Sequence, residues 1–372
     1  MNCKKTPTVP LFPSLMFSLR HFKNSIFGAG LTLETLQAQL ESVSVPYTDI
    51  DCRTCPNPCD EGHDSYPSKF NVDTESTMFG SVKPYHRQIV ISTGKMDWDR
   101  EITNTKNSLA AHVQHVMHNA PISASSLTPE AKNKRSAHVS GVFNSSDSNK
   151  ISILNGSHHT ISDNPEYETV LVFPDFKVVT EIPRSLDGAK ALWDAALTSN
   201  VSTIPPVNEK SNLNSWIIPY SCVILLCSHK RRDNRCHIAA AQLGQAFTRT
   251  LEDHGWTVDT EIEHPLHRMG PPLEELQGTD EENEEQIMKQ VQELATEKRA
   301  LILRNSHTGG HRYAGNCIIY TPQGSGVWYG RVSTHEVESI VSQTLEEGLI
   351  LPPLLRGGMN ISRPGCKSLN DW

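Results

Sequence analysis

Two short apolar runs in the last third of the chain, Ser221 to Leu226 (SCVILL) and Ala300 to Leu303 (ALIL), each lead into a pair of metal-competent side chains. A continuous apolar run bounded by polar residues reads as a strand covered on both faces, the kind that lies in the middle of a sheet. Cys227 closes the first run, and Cys236 follows it across Ser-His-Lys-Arg-Arg-Asp-Asn-Arg. His307 follows the second run and opens His-Thr-Gly-Gly-His, which ends at His311. Two loops leaving strand ends at one sheet edge can bring two thiols and two imidazoles together. Such a donor set suits either a zinc ion or an iron–sulfur cluster.

The pattern around these runs predicts an α/β fold. Asp233 or Asn234 can cap a helix through about Asp253, with Ala239, Ala240, Leu243, Phe247 and Leu251 on its apolar face. Trp256 to Ile262 reads as a further strand and Glu281 to Thr296 as an acidic helix. Asn316 to Tyr320 and Val327 to Val332 flank Gln323-Gly324-Ser325-Gly326, a hairpin signal. Ser333 and Glu336 form a capping-box pattern that opens a last helix. The order strand–helix–strand–helix–strand–strand–helix is that of a thioredoxin-like domain, a mixed sheet flanked by helices.

Upstream, Thr32 to Leu40 and Asp99 to His118 read as helices and Arg87 to Ser92 as a strand. Glu168 to Thr180 is strand-like with Pro174 interrupting it, and Asp187 to Thr198 is a short helix. From about 121 to 163 the composition shifts to Ser, Asn and His, and a mobile insertion is expected. The expected organisation is a tail over 1–33, an N-terminal α/β domain over 34–202, a Pro-containing linker over 203–214 and the thioredoxin-like domain over 215–372.

Cys236 falls in the first helical turn, where the helix's partial positive charge favours the thiolate that binds metal. Gly309 and Gly310 disfavour a helical reading of the two imidazoles and let the backbone approach a bulky group closely. Eight residues between cysteines exceed the usual two to four of a zinc site. A buried Cys is commonly a small core residue, and a lone His is commonly hydrogen-bonded without a metal.

VILLCSHKRRDNRC at 223–236 and HTGGHRYAGN at 307–316, with CRTCPNPC at 52–59 and TGKMDWDREI at 93–102 as weaker matches, make the chain resemble the sucrase/ferredoxin-like family. The likeness is greatest to its fungal altered-inheritance-of-mitochondria ferredoxin-like branch. That resemblance implies a thioredoxin-like ferredoxin whose [2Fe–2S] cluster is held by Cys227, Cys236, His307 and His311. It further implies electron transfer or thiol redox homeostasis, redox protein partners and the iron–sulfur assembly machinery. Two thiolates and two neutral imidazoles leave an oxidised cluster near zero charge, so it accepts an electron more readily than a four-thiolate site. Rieske centres, at roughly −150 to +300 mV against about −400 mV for plant-type ferredoxins, show the direction. A potential that falls as pH rises is the expected signature.

Cys52, Cys55 and Cys59, with His63, offer a second donor group, read as redox-active or structural thiols with zinc as the alternative. Lys230, Arg231, Arg232 and Arg235 read as a docking patch for an acidic redox partner or as an ordinary solvated loop. A net charge of −8 argues against general nucleic-acid binding, and no apolar stretch is long enough for a membrane span. The first 33 residues are basic, acid-free and carry Leu15, Leu19, Phe22 and Ile26 on one helical face, the profile of a mitochondrial presequence. The terminal Asp371-Trp372 instead resembles the tail of some cytosolic iron–sulfur proteins, which keeps a cytoplasmic location as the alternative.

Overall fold

The computed structural model describes residues 31–50, 65–119, 139–198 and 212–372. The strands are β1 (Arg87–Ser92), β2 (Val142–Phe143), β3 (Ile151–Gly156), β4 (Tyr167–Phe173), β5 (Lys177–Pro183), β6 (Asn214–Ile217), β7 (Cys222–Cys227), β8 (Thr257–Asp259), β9 (Arg299–Asn305), β10 (Cys317–Tyr320), β11 (Gly326–Tyr329) and β12 (Leu355–Met359). They form one mixed sheet in the order β2-β12-β11-β10-β7-β9-β3-β1-β4-β5-β6, with β8 paired to β9. The helices are α1 (Leu33–Ser42), α2 (Leu109–Asn119), α3 (Leu186–Leu192), α4 (Asn234–Asp253), α5 (Leu266–Met269), α6 (Asp280–Thr296) and α7 (Val337–Ser339), the last continued by wider turns to Glu346.

Side-chain alternation sorts the core into layers. Cys222, Ile224 and Leu226 of β7 pack towards α4, with Ala239, Leu243 and Phe247. Val223 and Leu225 pack on the other face with Ile287, Val291 and Leu294 of α6. A third cluster joins Ile89 and Ile91 of β1 to Val113 of α2 and Leu192 of α3. The capping residues act as expected: Asp233 accepts the Arg235 N–H at the start of α4, and the Ser333–Glu336 capping box forms.

Several boundaries differ from the sequence reading. Part of the expected mobile insertion is ordered: β3 pairs in parallel with β1 along its whole length, and β2 pairs with β12. β3 carries Ser152 and Asn155, which weaken its pattern, and its stability comes from the partner strand. The interruption at Pro174 is the turn between β4 and β5, a hairpin rather than one broken strand. Residue 214, where the linker was expected to end, opens β6, which pairs with β5. β12 was not foreseen, since Gly357-Gly358 in its middle weakens the strand pattern. The Trp256–Ile262 run makes ladder contacts only over β8. Residues 1–30, holding most of the presequence-like tail, lie outside the described residues, as do 51–64, 120–138 and 199–211.

The two stretches of sheet meet at a narrow seam. β3 touches β9 only at its tip, Gly156 opposite Asn305, flanked by Ser157 N–H to Arg304 O and Ser306 N–H to Asn155 O, both 2.8 Å. Asn305 also stands in register with Cys227 across the parallel β7–β9 pair.

At the far end of α4, His254 lies 3.0 Å from carboxylates of both Glu346 and Glu338. Burial disfavours the charged ring, yet Glu346 and Glu338 outweigh it and raise its pKa. Stability from this group is therefore fully present below the ordinary histidine value and is lost as pH rises through the raised one. His254→Gln is expected to reduce the difference between urea midpoints measured at about pH 5.5 and about pH 8.5.

Candidate metal centre

The end of β7 and the start of α4 place the two thiols. Cys227 is the last residue of β7 and Cys236 lies in the first turn of α4; both are buried, beside Ala314 with Phe70 and Val72 packed over them. Their thiols share a hydrogen bond, which pulls Cys227 well below the ordinary thiol value. Burial opposes that shift and His307 reinforces it, while the same hydrogen bond pushes Cys236 up. Of the pair, Cys227 is the thiol more disposed to ionise.

The loop after β9 supplies the imidazoles. Cys227 Sγ lies 4.0 Å from His307 Nδ1, and the His307 and His311 ring centroids are 5.5 Å apart. His307 is half-buried and His311 is exposed, opening a short 3-10 turn. Burial lowers the His311 pKa, and His307 adds to this. Gly309 and Gly310 both take left-handed backbone angles, φ +80 and +66. The four predicted donors thus form a string of neighbours at one sheet edge. Among the described residues no three His, Cys, Asp or Glu side chains close around a single point as one metal ion requires.

Asn316 ties the two loops together. Its carbonyl accepts the Cys227 N–H at 3.2 Å, its side-chain amide donates to Gly310 O at 3.1 Å, and its Oδ1 accepts from Arg356 at 2.7 Å.

His229 lies between the cysteines but is not placed as a donor to the centre. Its Nε2 donates to Trp98 O at 2.8 Å, and its Nδ1 accepts the His307 N–H at 3.2 Å. A carbonyl can only accept and a backbone N–H can only donate, so both ring nitrogens are spent holding the centre's backbone.

The segment after β1 straps down the cysteine loop. Asp97 Oδ1 accepts the Arg231 N–H at 3.1 Å, and Asp99 pairs with the Arg231 guanidinium at 2.6 Å. Glu101 pairs with Arg232, and Arg235 with Asp233 at 2.7 Å. Three of the four cations expected to greet an acidic partner are therefore internally paired. Lys230 alone of the four makes no ion pair among the described residues. The weakly matching segment 93–102 is thus a structural clamp on the strongly matching one.

Two residues of the setting escaped the sequence reading. Tyr313, fully buried, donates to Thr77 O at 2.7 Å and fixes the turn after His311. Arg356, 2% exposed, reaches under the loop from β12. A charged residue within Leu354-Leu355-Arg356-Gly357-Gly358-Met359 was the only signal of it. Cys52, Cys55, Cys59 and His63 lie outside the described residues.

Fold and site together define a mixed α/β protein that presents two buried thiols and two imidazoles beside its central parallel strands. Residues 78–357 match the model of the sucrase/ferredoxin-like family, and the chain belongs to that family. Altered inheritance of mitochondria protein 32 of Clavispora lusitaniae is 30% identical over 135 residues, 36% of this chain and 34% of that protein. The protein of the same name in Debaryomyces hansenii is 30% identical over 138 residues, 36% and 35% of the two chains. The matched stretch spans about a third of the length of these relatives. Actin patches distal protein 1 of Saccharomyces cerevisiae is 24% identical over 310 residues, 81% of this chain and 79% of that protein. No solved structure matches.

Proposed function

We propose that the protein carries electrons or controls redox state through a [2Fe–2S] cluster held by Cys227, Cys236, His307 and His311, in a thioredoxin-like ferredoxin setting. The observation that carries this reading is the approach of a thiol pair to an imidazole pair from two strand ends, with Cys227 Sγ 4.0 Å from His307 Nδ1. The surroundings fit such a group. One thiol is already acidified, and the two left-handed glycines leave open space beside Gly309. The two-pair layout suits two irons better than one zinc, which needs its four donors around one point. When bound, the cluster supplies one-electron chemistry.

The chain's own residues then divide the work. Phe70, Val72 and Ala314 keep water from the thiol side. His229 holds the His307 backbone, and Asn316 joins the two loops. His311, exposed to solvent, leaves the imidazole side open to a partner and to proton exchange at its ring. Gaining an electron makes a ligating imidazole more basic, so the potential is expected to fall as pH rises. Mitochondrial action is part of the proposal, supported by the acid-free N-terminal composition and by relatives named for mitochondrial inheritance.

The test is anaerobic purification with iron and sulfide analysis, absorption and electron paramagnetic resonance. Equal iron and sulfide, visible colour and a resonance that appears on reduction are expected, with a pH-dependent potential by voltammetry. A colourless, resonance-silent protein containing zinc overturns the reading.

A further inference from the structure

A cavity of about 340 Å³ opens beside the His307–His311 loop, walled by Thr308, Gly309 and Gly310 and by parts of β3, β11 and β12. Its chemistry is one-sided. Arg356, Lys83 and Lys150 line it, and no Asp or Glu does. Arg356 is 2% exposed and makes no ion pair with a carboxylate among the described residues. Its Nε donates to Ser81 Oγ at 3.1 Å and its Nη1 to Asn316 Oδ1 at 2.7 Å and Gly309 O at 3.3 Å. Nη2 has no hydrogen-bond partner among the described residues, although it lies against Gly310. Thr308 Oγ1, also buried, has none either.

Burying a guanidinium is costly, and proteins offset that cost with a negative charge; here the acidified Cys227 sulfur and the Tyr313 and Trp328 rings, each with its centroid 5.7 Å from the guanidinium, offset part of it. Burial does lower the Arg356 pKa to about 10, with the Cys227 thiol acting the other way, so the group stays charged at neutral pH. Lys83 and Lys150 are exposed at the mouth and make no ion pairs among the described residues. The rest of the wall mixes the hydroxyl-bearing Ser81, Tyr85 and Ser152 with apolar and aromatic surface, Val82, Ile151 and the Trp328 ring among it. The volume lies within the range of small-molecule sites.

The geometry points to a binding site for a small organic anion. Carboxylate or phosphate oxygens pair with Arg356 and Thr308, the lysines draw the ligand in, and its apolar body rests on Ile151 and Trp328. This site goes beyond the cluster reading and does not need it. Because its wall includes the two glycines between the imidazoles, an occupant also touches the loop that positions His307 and His311.

Isothermal titration calorimetry on the full-length protein as purified tests this, with phenyl phosphate, benzoate and neutral benzyl alcohol as probes. At least one of the two anions is expected to bind with Kd below about 1 mM, and the tighter one identifies the oxyanion; the alcohol gives no saturable heat. The double substitution Lys83→Ala/Lys150→Ala is expected to weaken binding about fivefold, and Arg356→Gln to abolish it. The lysine variant decides the matter if Arg356→Gln does not fold. No saturable heat from either anion up to about 10 mM, equal binding of the alcohol, or an unchanged Kd in the lysine variant overturns the proposal. Heat reports binding whether or not iron is present, so this result is independent of the metal analysis.

Discussion

On the proposed cluster assignment, Cys227→Ser is expected to yield protein without iron while leaving its secondary structure unchanged. A serine hydroxyl does not ionise near neutral pH and cannot replace a thiolate ligand. His307→Ala is expected to do the same from the other loop. The informative control is Cys222→Ala, because Cys222 lies on the same strand, is equally buried and packs in the α4-facing core. Burial pushes its thiol up to about 12, the mark of a core residue rather than a ligand. Iron content per chain and circular dichroism read the outcome. Full iron retention in both Cys227→Ser and His307→Ala, or loss in Cys222→Ala alone, would show that the donors lie elsewhere.

The largest expected effect on stability comes from Phe247→Ala. Phe247 is fully buried on α4, against the β7 and β9 side chains that form the α4-facing core. Truncating a buried phenylalanine leaves a cavity and typically costs about 3–5 kcal/mol. Domain stabilities are commonly about 5–15 kcal/mol, so a large share of the total is at stake. The loss reaches the centre too, since α4 carries Cys236. Urea unfolding is expected to show the lower midpoint with an unchanged slope, together with weaker iron retention. A midpoint within experimental error of the unsubstituted protein would mean that α4 does not depend on this contact.

The legible parts of the molecule are those whose signals are local. β7 and β9 are continuous apolar runs, α4 opens at an aspartate cap, and β10 and β11 surround a glycine-rich turn. That the four candidate donors would lie near one another was legible for the same reason, as side chains placed just past recognisable strands. What stayed hidden depends on partners far away in the chain. β3 is held by β1, and β12 by β11, so neither needs a strong pattern of its own. Asp99, in the middle of the clamp, reads as the start of a helix that begins only at Leu109. Arg231 and Arg232 looked free because their counter-charges lie about 130 residues upstream. Arg356 stands out locally only as a charge among apolar residues and glycines, and nothing local says that it will end up beneath a loop from elsewhere.

The seam where β3 meets β9, together with the clamp that leaves the end of β1, gives the centre no clean border. Its loops are braced by chain from both sides of the sheet. A designer who excised everything after residue 212 as a portable redox cartridge would leave Trp98, and with it the anchor of His229, behind. Transplanting the centre therefore means transplanting two separated pieces of polypeptide, and selection acting on either piece acts on both.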